Sequence, residues 1–315
     1  MSNTSVSTAT VSPLTSIQNL LTNYTFIIIF ILGNLSNLAN IAVFLQKNLR
    51  SNACSWYFAS VSLGHLLFLY FACLTRIITA WSGFDLTRSS IIFCRLRIYF
   101  LTVSLLISRY FLCLISIDRW MVTSTKLVIR QMSSFKFARW FLICGFAFCI
   151  LFSIHFPFWY NIDNRGCVSN ANTFYPLFYT IYNLVITLGP FLIMIIYSLL
   201  VLNNLRTIRR RQHPSAVHQT NQATSIGTGQ VKRKDIQFIK LSLIQVIIYI
   251  LFNSLYGYNA TYAFITQSII KTPERAALDS FLSTVGLIIS YLYMAVRQLL
   301  LKQNNKNLDY DSIFR

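Results

Sequence analysis

The chain has 315 residues, of which 55% are hydrophobic and only 11% are charged, and its formal net charge is +19. An ordinary soluble domain carries about 25% charged residues, so this composition argues against one. The positive charge alone suits nucleic-acid binding, but its placement along the chain favours a membrane protein. The chain has eight acidic residues and four histidines. It shows no metal-ligand spacing, phosphate loop or nucleophile motif, which argues against an enzyme and predicts no cofactor.

Seven long apolar runs divide the chain. A helix needs about 20 mostly apolar residues to cross the hydrocarbon core of a bilayer. Only helices and closed barrels can span lipid, and a barrel would show short alternating strands instead. We therefore predict an all-α membrane protein, a bundle of seven transmembrane helices in a lipid bilayer. The predicted helices cover residues 24–46, 56–80, 96–118, 138–160, 176–203, 236–265 and 279–301.

The basic residues are distributed unequally between the two sides of this bundle. If the N-terminus faces out, the inner segments hold fifteen basic residues, whereas the outer segments hold four: Arg88, Arg165, Lys271 and Arg275. Short cytoplasmic loops of membrane proteins carry the excess of Lys and Arg. The asymmetry predicts a multi-pass protein of the plasma membrane with an extracellular N-terminus and a basic cytoplasmic face.

This topology divides the chain into three parts. Residues 1–23 are predicted to be an extracellular tail, residues 24–301 the seven-helix domain, and residues 302–315 a cytoplasmic tail. The polar and basic stretch 204–235 predicts a flexible cytoplasmic loop. After Arg297, alternating basic and apolar residues predict a short amphipathic helix at the inner interface.

Two kinds of modification fall on the predicted outer side. Asn3 and Asn23 begin acceptor motifs for N-glycosylation. Cys94 begins the third predicted helix, and Cys167 lies between the fourth and fifth. Because both cysteines face an oxidising compartment, we predict a disulfide between them that ties the loop across the mouth of the bundle.

The third predicted helix ends in the sequence SIDRW, which contains Asp118 and Arg119. It matches the Asp-Arg-aromatic motif at the cytoplasmic end of helix three in rhodopsin-like (class A) G-protein-coupled receptors. The chain resembles this family over nearly its whole length. The stretches NACSWYFASVS and SYLYMAV are similar to invertebrate neuropeptide receptors of the FMRFamide-receptor type. Three further residues fit family positions in helices one, four and five: Asn37, Trp140 and Pro190.

The resemblance implies an activation switch at the cytoplasmic end. In the inactive family member the arginine is held by its neighbouring Asp and by an acid at the base of helix six. The matching residues are Arg119, Asp118 and Asp235. Activation swings helix six outward and opens a cavity for a heterotrimeric G protein. Of the family's helix-seven motif, only Tyr293 is retained. Asp235 is equally well interpreted as a single acid in a basic segment that does not hold Arg119 in the inactive state.

The chain departs from the family pattern at several positions. His65 stands where the family carries an Asp in helix two, and the prolines of helices six and seven are missing. Proline kinks helices, and a receptor without these kinks could fail to couple. The alternative therefore remains that the chain is a receptor-like protein that binds a ligand or partner without G-protein coupling. Arg109 falls in the middle of helix three, where a charge is costly, and no acid can be named as its partner.

Four residues near the predicted outer mouth are the candidate ligand contacts: Arg76, Arg97, Leu101 and Asp279. Amine receptors carry an Asp at the position of Leu101, so the resemblance argues against an amine ligand. Arginine clusters bind carboxylates bidentately, which suits a ligand with an acidic group. The alternative is internal pairing of Asp279 with Arg76 or Arg97, without a ligand.

These features together predict a G-protein-coupled receptor that passes the signal of an extracellular ligand, a neuropeptide, to a heterotrimeric G protein. The predicted partners are an extracellular peptide or small-molecule ligand, the G protein and the lipid bilayer, with no nucleic acid. A membrane transporter is the less favoured alternative. Transporters usually show internal repeats and broken helices in matching halves, and the sequence shows neither.

Overall fold

The computed structural model of the protein describes residues 13–47, 49–163, 166–169, 174–212, 233–266, 269 and 271–304. A π-helical turn at Leu69–Leu74 connects the second and third helices. The helices are α1 Pro13–Phe44, α2 Ala53–Phe68, α3 Thr75–Ser82, α4 Leu86–Ser89, α5 Ile91–Thr123, α6 Leu127–Met132, α7 Phe135–Phe152, α8 Phe156–Trp159, α9 Tyr175–Gln212, α10 Arg233–Ile265 and α11 Pro273–Asn304, and the strands are β1 Tyr160–Asp163 and β2 Gly166–Ser169.

Seven helical segments of the described chain are long and apolar enough to cross a membrane. We number them span one to span seven in chain order. Span one is α1, span three is α5, and spans five, six and seven are α9, α10 and α11. Span two joins α2, the π-helical turn and α3 as Ala53–Ser82, and span four joins α7 and α8 as Phe135–Trp159. These helices confirm the predicted all-α seven-helix bundle.

Span one begins earlier than predicted. Its helix starts at Pro13, which the first turn of a helix tolerates because the nitrogen there needs no intrahelical partner. One turn later, the Gln18 amide donates a hydrogen bond of 2.8 Å to the Thr284 hydroxyl of span seven. The predicted tail 1–23 is therefore bundle helix from Pro13 onward, and Asn23 lies inside that helix. Asn3 lies outside the described residues.

The ends of the later spans also differ from the prediction. α9 continues to Gln212 and α10 begins at Arg233, so both edges of the predicted loop 204–235 are helical. α11 runs without a break to Asn304. No Gly or Pro follows Arg297 before that residue, so nothing stops the helix there. The predicted amphipathic segment is helical, but it continues span seven and does not form a separate helix.

Small and polar residues bring the spans together in the interior. A Cβ atom on Gly64 would lie 3.0 Å from the Ser104 carbonyl oxygen, so the missing side chain lets spans two and three approach closely. The Asn37 amide of span one donates to the carbonyl oxygen of Met294 at 2.9 Å and to that of Gly33 at 2.8 Å. This bond fixes which part of span seven faces the middle of span one.

A short strand pair covers one end of the bundle. β1 and β2 are antiparallel, with Tyr160 opposite Ser169 and Asp163 opposite Gly166. Gly166 has φ 108°, a conformation that favours glycine. Cys167 of β2 is bonded to Cys94 of span three, which confirms the predicted disulfide. The strand pair was not predicted, since the sequence was interpreted as helix through residue 160. We call this the disulfide end and the opposite one the Arg119 end.

Candidate functional site

The Asp118–Arg119 pair lies buried near the end of span three. Both side chains are 1% exposed and form an ion pair. The Ser133 hydroxyl, just after α6, donates a hydrogen bond of 2.5 Å to the second carboxylate oxygen of Asp118. A buried carboxylate needs such partners because its desolvation is costly. Both carboxylate oxygens of Asp118 thus have a partner, and Asp118 holds the Arg119 guanidinium in place.

An aromatic ring of span six lies against Arg119. The guanidinium carbon is 5.4 Å from the centre of the Phe238 ring, within the range of a cation–π contact. Phe238 is 5% exposed and lies 6.3 Å from the rings of Phe44 and Phe58, which stack on each other at 4.8 Å. Arg119 of span three is therefore held beneath an aromatic cluster from spans one, two and six.

The predicted second acid, Asp235, falls in the first turn of α10, but its side chain lies outside what the structure describes. The contact that the structure does place between spans three and six is the one from Phe238. Phe238 was not predicted from the sequence. It could have been found from its position three residues after Asp235, because residues three apart lie on the same face of a helix.

Tyr293 is not brought together with Arg119. Its ring lies 5.8 Å from the His65 ring, 5.5 Å from Tyr249 and 6.4 Å from Phe252. It is 2% exposed and adjoins the residue whose carbonyl binds Asn37. Tyr293 thus belongs to an aromatic layer inside the bundle, at the level of His65 in span two.

Spans six and seven are joined by a polar contact where the family has prolines. The Ser290 hydroxyl donates to the Asn253 side-chain oxygen at 2.9 Å. The Asn253 amide donates back to the Tyr249 carbonyl at 3.0 Å, one turn earlier in its own helix. Asn253 is 3% exposed and Ser290 is 7% exposed. Both helices are continuous through this contact.

Two of the predicted ligand residues, Arg76 and Arg97, lie together toward the disulfide end. Arg97 donates from Nε to the Phe71 carbonyl at 3.1 Å and to the Thr75 hydroxyl at 3.0 Å. Phe71 belongs to the π-helical turn of span two, an irregularity that often marks functional sites. Arg76 lies over the Phe26 ring at 5.7 Å. Tyr291 of span seven interacts electrostatically with both arginines.

One acidic side chain outside the spans reaches this cluster. Asp85 precedes α4 and accepts hydrogen bonds from the Thr87 hydroxyl at 2.6 Å and the Thr87 amide at 2.9 Å. Partial burial alone raises the pKa of Asp85, but these bonds and the positive charges of Arg97 and Arg88 lower it overall. Asp85 therefore stays ionised and offsets part of the cluster's positive charge.

Asp279 has a different partner from the ones predicted. Its carboxylate pairs with Lys271 at 2.7 Å, so the alternative pairing with Arg76 or Arg97 is wrong. Lys271 also lies 4.7 Å from the centre of the Tyr262 ring. These residues line a groove of ≈ 580 Å³ between spans six and seven. Leu101, the fourth predicted contact, is half-buried and packs against the hydrophobic core.

Arg109 lies inside span three with 8% of its surface exposed. Its charge acts on three tyrosines of spans five and six, namely Tyr182, Tyr249 and Tyr256. Arg109 therefore lies near the hydroxyl groups of tyrosines from spans five and six. No partner was predicted for Arg109 from the sequence, because these tyrosines are not acids.

Comparison with known families identifies the bundle. The model of the family described as 7 transmembrane receptor (rhodopsin family) matches residues 36–296. This stretch reaches from the middle of span one to the last turns of span seven. It contains the disulfide, the Asp118–Arg119 pair and the arginine cluster. The comparison with curated proteins finds no match.

Proposed function

Because the chain belongs to the 7 transmembrane receptor (rhodopsin) family, we propose that it is a G-protein-coupled receptor for an extracellular peptide that carries an acidic group. The N-terminus and the disulfide end face outside, and the Arg119 end faces the cytoplasm. The ligand binds at the disulfide end. Span six then moves outward at the Arg119 end and admits a heterotrimeric G protein.

The buried Asp118–Arg119 pair beneath Phe238 is the observation that carries this proposal. Two charges that are 1% exposed gain no solvation from water, and a pair kept for stability alone is often replaceable by apolar residues. Its partner across the bundle is on span six. A contact between two helices that can separate is the bistable element that a switch requires.

The arginine cluster supports an acidic ligand group. Arg76 and Arg97 are close enough for their charges to repel each other. Within the described residues, neither has a carboxylate within ion-pair distance. A carboxylate placed between them would relieve the repulsion and accept hydrogen bonds from both guanidinium groups.

The groove beside Asp279 supports a ligand larger than a single acid. Its volume of ≈ 580 Å³ lies within the range of about 300–1,000 Å³ that small-molecule sites occupy. Tyr258, Tyr262 and Arg275 offer aromatic faces and hydrogen-bond donors along it. Such a lining suits the side chains of a peptide.

The first test compares wild type with Arg119→Ala at matched surface level. Both are challenged in cells with a library of amidated and acidic peptides, and G-protein recruitment is recorded. We expect a peptide that recruits G protein to wild type and not to the variant, because Arg119 is the group that the switch releases. Recruitment that survives in Arg119→Ala would contradict the proposed switch.

The second test concerns the ligand group. Arg97→Gln is expected to weaken the response to an acidic peptide, while a peptide amidated at its acidic group should act equally on wild type and variant. Arg95→Gln is the matched control, because Arg95 lies in the same helix but donates to the Tyr160 carbonyl at 3.1 Å. An equal loss of response to the acidic peptide in Arg97→Gln and Arg95→Gln would refute the assignment of Arg97 as a ligand contact.

A receptor that binds ligand without coupling is the second candidate. It is favoured by the unbroken, proline-free helices at the Asn253–Ser290 contact, since proline is the usual source of a helix kink. Peptide binding to wild type without any recruitment of G protein would select this candidate. Peptide-dependent uptake of solute would select a transporter instead.

A further inference from the structure

Arg109 places a permanent positive charge in the interior of the bundle. It lies 18 residues after the start of α5 and 14 before its end, which is about 27 Å and 21 Å along the helix at 1.5 Å per residue. The guanidinium is not deprotonated in proteins, and the side chain is only 8% exposed. A charge at this depth costs several kcal/mol without a counter-charge.

Within the described residues, no carboxylate forms an ion pair with Arg109. Asp118 is nine residues from Arg109 in sequence, about 13.5 Å along the helix, and it is bound by Arg119 and Ser133. Asp279 is paired with Lys271. The acids in the described elements fall before a short helix, at the end of a strand or within two turns of a helix end, and they are Asp85, Asp118, Asp163, Asp235, Glu274 and Asp279.

A second donor lies beside Arg109 without an acceptor. The side chain of Tyr249 in span six is 2% exposed, and its hydroxyl makes no hydrogen bond of normal geometry within the described residues. It is nevertheless near enough to interact with the Arg109 guanidinium. Both groups donate hydrogen bonds, so neither can satisfy the other fully. One negatively charged acceptor would satisfy both.

We propose that a small monovalent anion, chloride from solution, binds between Arg109 of span three and Tyr249 of span six. The anion accepts hydrogen bonds from the guanidinium and the tyrosine hydroxyl and neutralises the buried charge. It thereby links spans three and six and stabilises the closed arrangement. This site lies deeper than the Arg76–Arg97 cluster and needs neither a peptide ligand nor a G protein.

Positive charge also lies between the proposed site and the disulfide end. Tyr256, about two turns after Tyr249 on span six, interacts with the charges of both Arg109 and Arg76. Positive charge that lines a path of low dielectric raises the local concentration of anions. The same arginines that attract an acidic ligand therefore favour entry of chloride.

The test measures the thermal unfolding of the full-length protein in detergent micelles, without ligand or G protein. Sodium chloride and sodium bromide are compared with sodium gluconate, which has a much larger anion, at matched ionic strength. A ligand that binds only the folded state raises the melting temperature. We expect wild type to melt about 2–4 °C higher in chloride than in gluconate.

Two variants and one control locate the effect. Arg109→Gln should abolish the chloride shift, and Tyr249→Phe, which removes one donor and keeps the ring, should reduce it. Tyr249→Phe also keeps the test valid if Arg109→Gln does not fold. Arg95→Gln should retain the full shift, because Arg95 donates to the Tyr160 carbonyl and belongs neither to this site nor to the arginine cluster. Equal melting of wild type in chloride and gluconate, or a full shift in Tyr249→Phe and Arg109→Gln, would overturn the proposal, whereas neither result bears on G-protein coupling.

Discussion

Replacing Phe238 by leucine tests whether span six holds Arg119 by its aromatic ring. Leucine keeps an apolar side chain in a site that is 5% exposed, so most of the packing on Phe44 and Phe58 is retained. The variant removes the ring face that lies 5.4 Å from the guanidinium carbon. If the ring stabilises the closed arrangement, its loss shifts the resting equilibrium toward the open one.

The magnitude follows from the burial of the contact. Arg119 is 1% exposed, so the cation–π contact is desolvated and contributes about 1–2 kcal/mol. This free energy corresponds to a factor of about 5–30 in an equilibrium. Phe238→Leu is therefore expected to raise the ratio of active to inactive receptor without ligand by that factor. The ion pair with Asp118 is internal to span three and stays intact.

The assay is basal G-protein activation at matched surface level, with Arg119→Ala as the inactive reference. Phe44→Leu is the matched control, because Phe44 packs in the same cluster but sits on span one, which does not move in the proposed switch. Phe238→Trp should lower basal activity, since tryptophan binds cations best. The reasoning fails if Phe238→Leu and Phe44→Leu have the same basal activity.

Two further predictions concern stability, measured by thermal unfolding of the full-length protein. Cys167→Ser should destabilise it by about 2–4 kcal/mol, because the disulfide closes a separation of 73 residues. The double variant with Cys94→Ser should be no worse, and an additive loss would contradict a shared bond. Asn37→Ala should cost about 1–3 kcal/mol, because it removes two buried hydrogen bonds, one of them to Met294 of span seven. Asn34→Ala, whose amide binds only within its own helix, should cost clearly less, and equal losses would argue against the contact between the spans.

The features that were predicted correctly depend on properties of short stretches of sequence, such as the length of an apolar run or the adjacency of two charged residues. An apolar run long enough to cross a bilayer has few alternatives to a helix, so the seven spans follow from composition alone. The disulfide was predicted from the same topology, because the predicted orientation places Cys94 and Cys167 on the oxidising side. Asp118 and Arg119 are adjacent in sequence, so their pairing required no knowledge of packing.

The features that were missed depend on contacts between distant segments. Nothing near Pro13 distinguishes a tail from a helix until Gln18 meets Thr284 of span seven. Asp279 was assigned an arginine partner from another span, but its partner is Lys271, eight residues earlier and just before the start of α11. A polar side chain in a bundle pairs with the group that the fold places beside it, and the identity of that partner cannot be predicted from the local sequence.

The position of Tyr293 shows how packing overrides a motif. Asn37 lies seven residues before the end of α1, about 10 Å along the helix, and Phe44 at that end reaches the Phe238 cluster beside Arg119. Met294 is level with Asn37 because the two are hydrogen-bonded. Tyr293 therefore lies about 10 Å above the switch, where its ring meets Tyr249.

Span six connects the switch, the aromatic layer and the proposed anion site on one face. Phe238 and Tyr249 are eleven residues apart, which is close to three full turns, and Asn253 follows one turn later. All three are buried, at 5%, 2% and 3% exposure, so the same side of the helix faces the interior along this whole length. No proline interrupts the segment. A rotation of span six that lifts Phe238 from Arg119 must then also displace Tyr249 from Arg109 and strain the Asn253–Ser290 bond, so the three contacts open together or not at all.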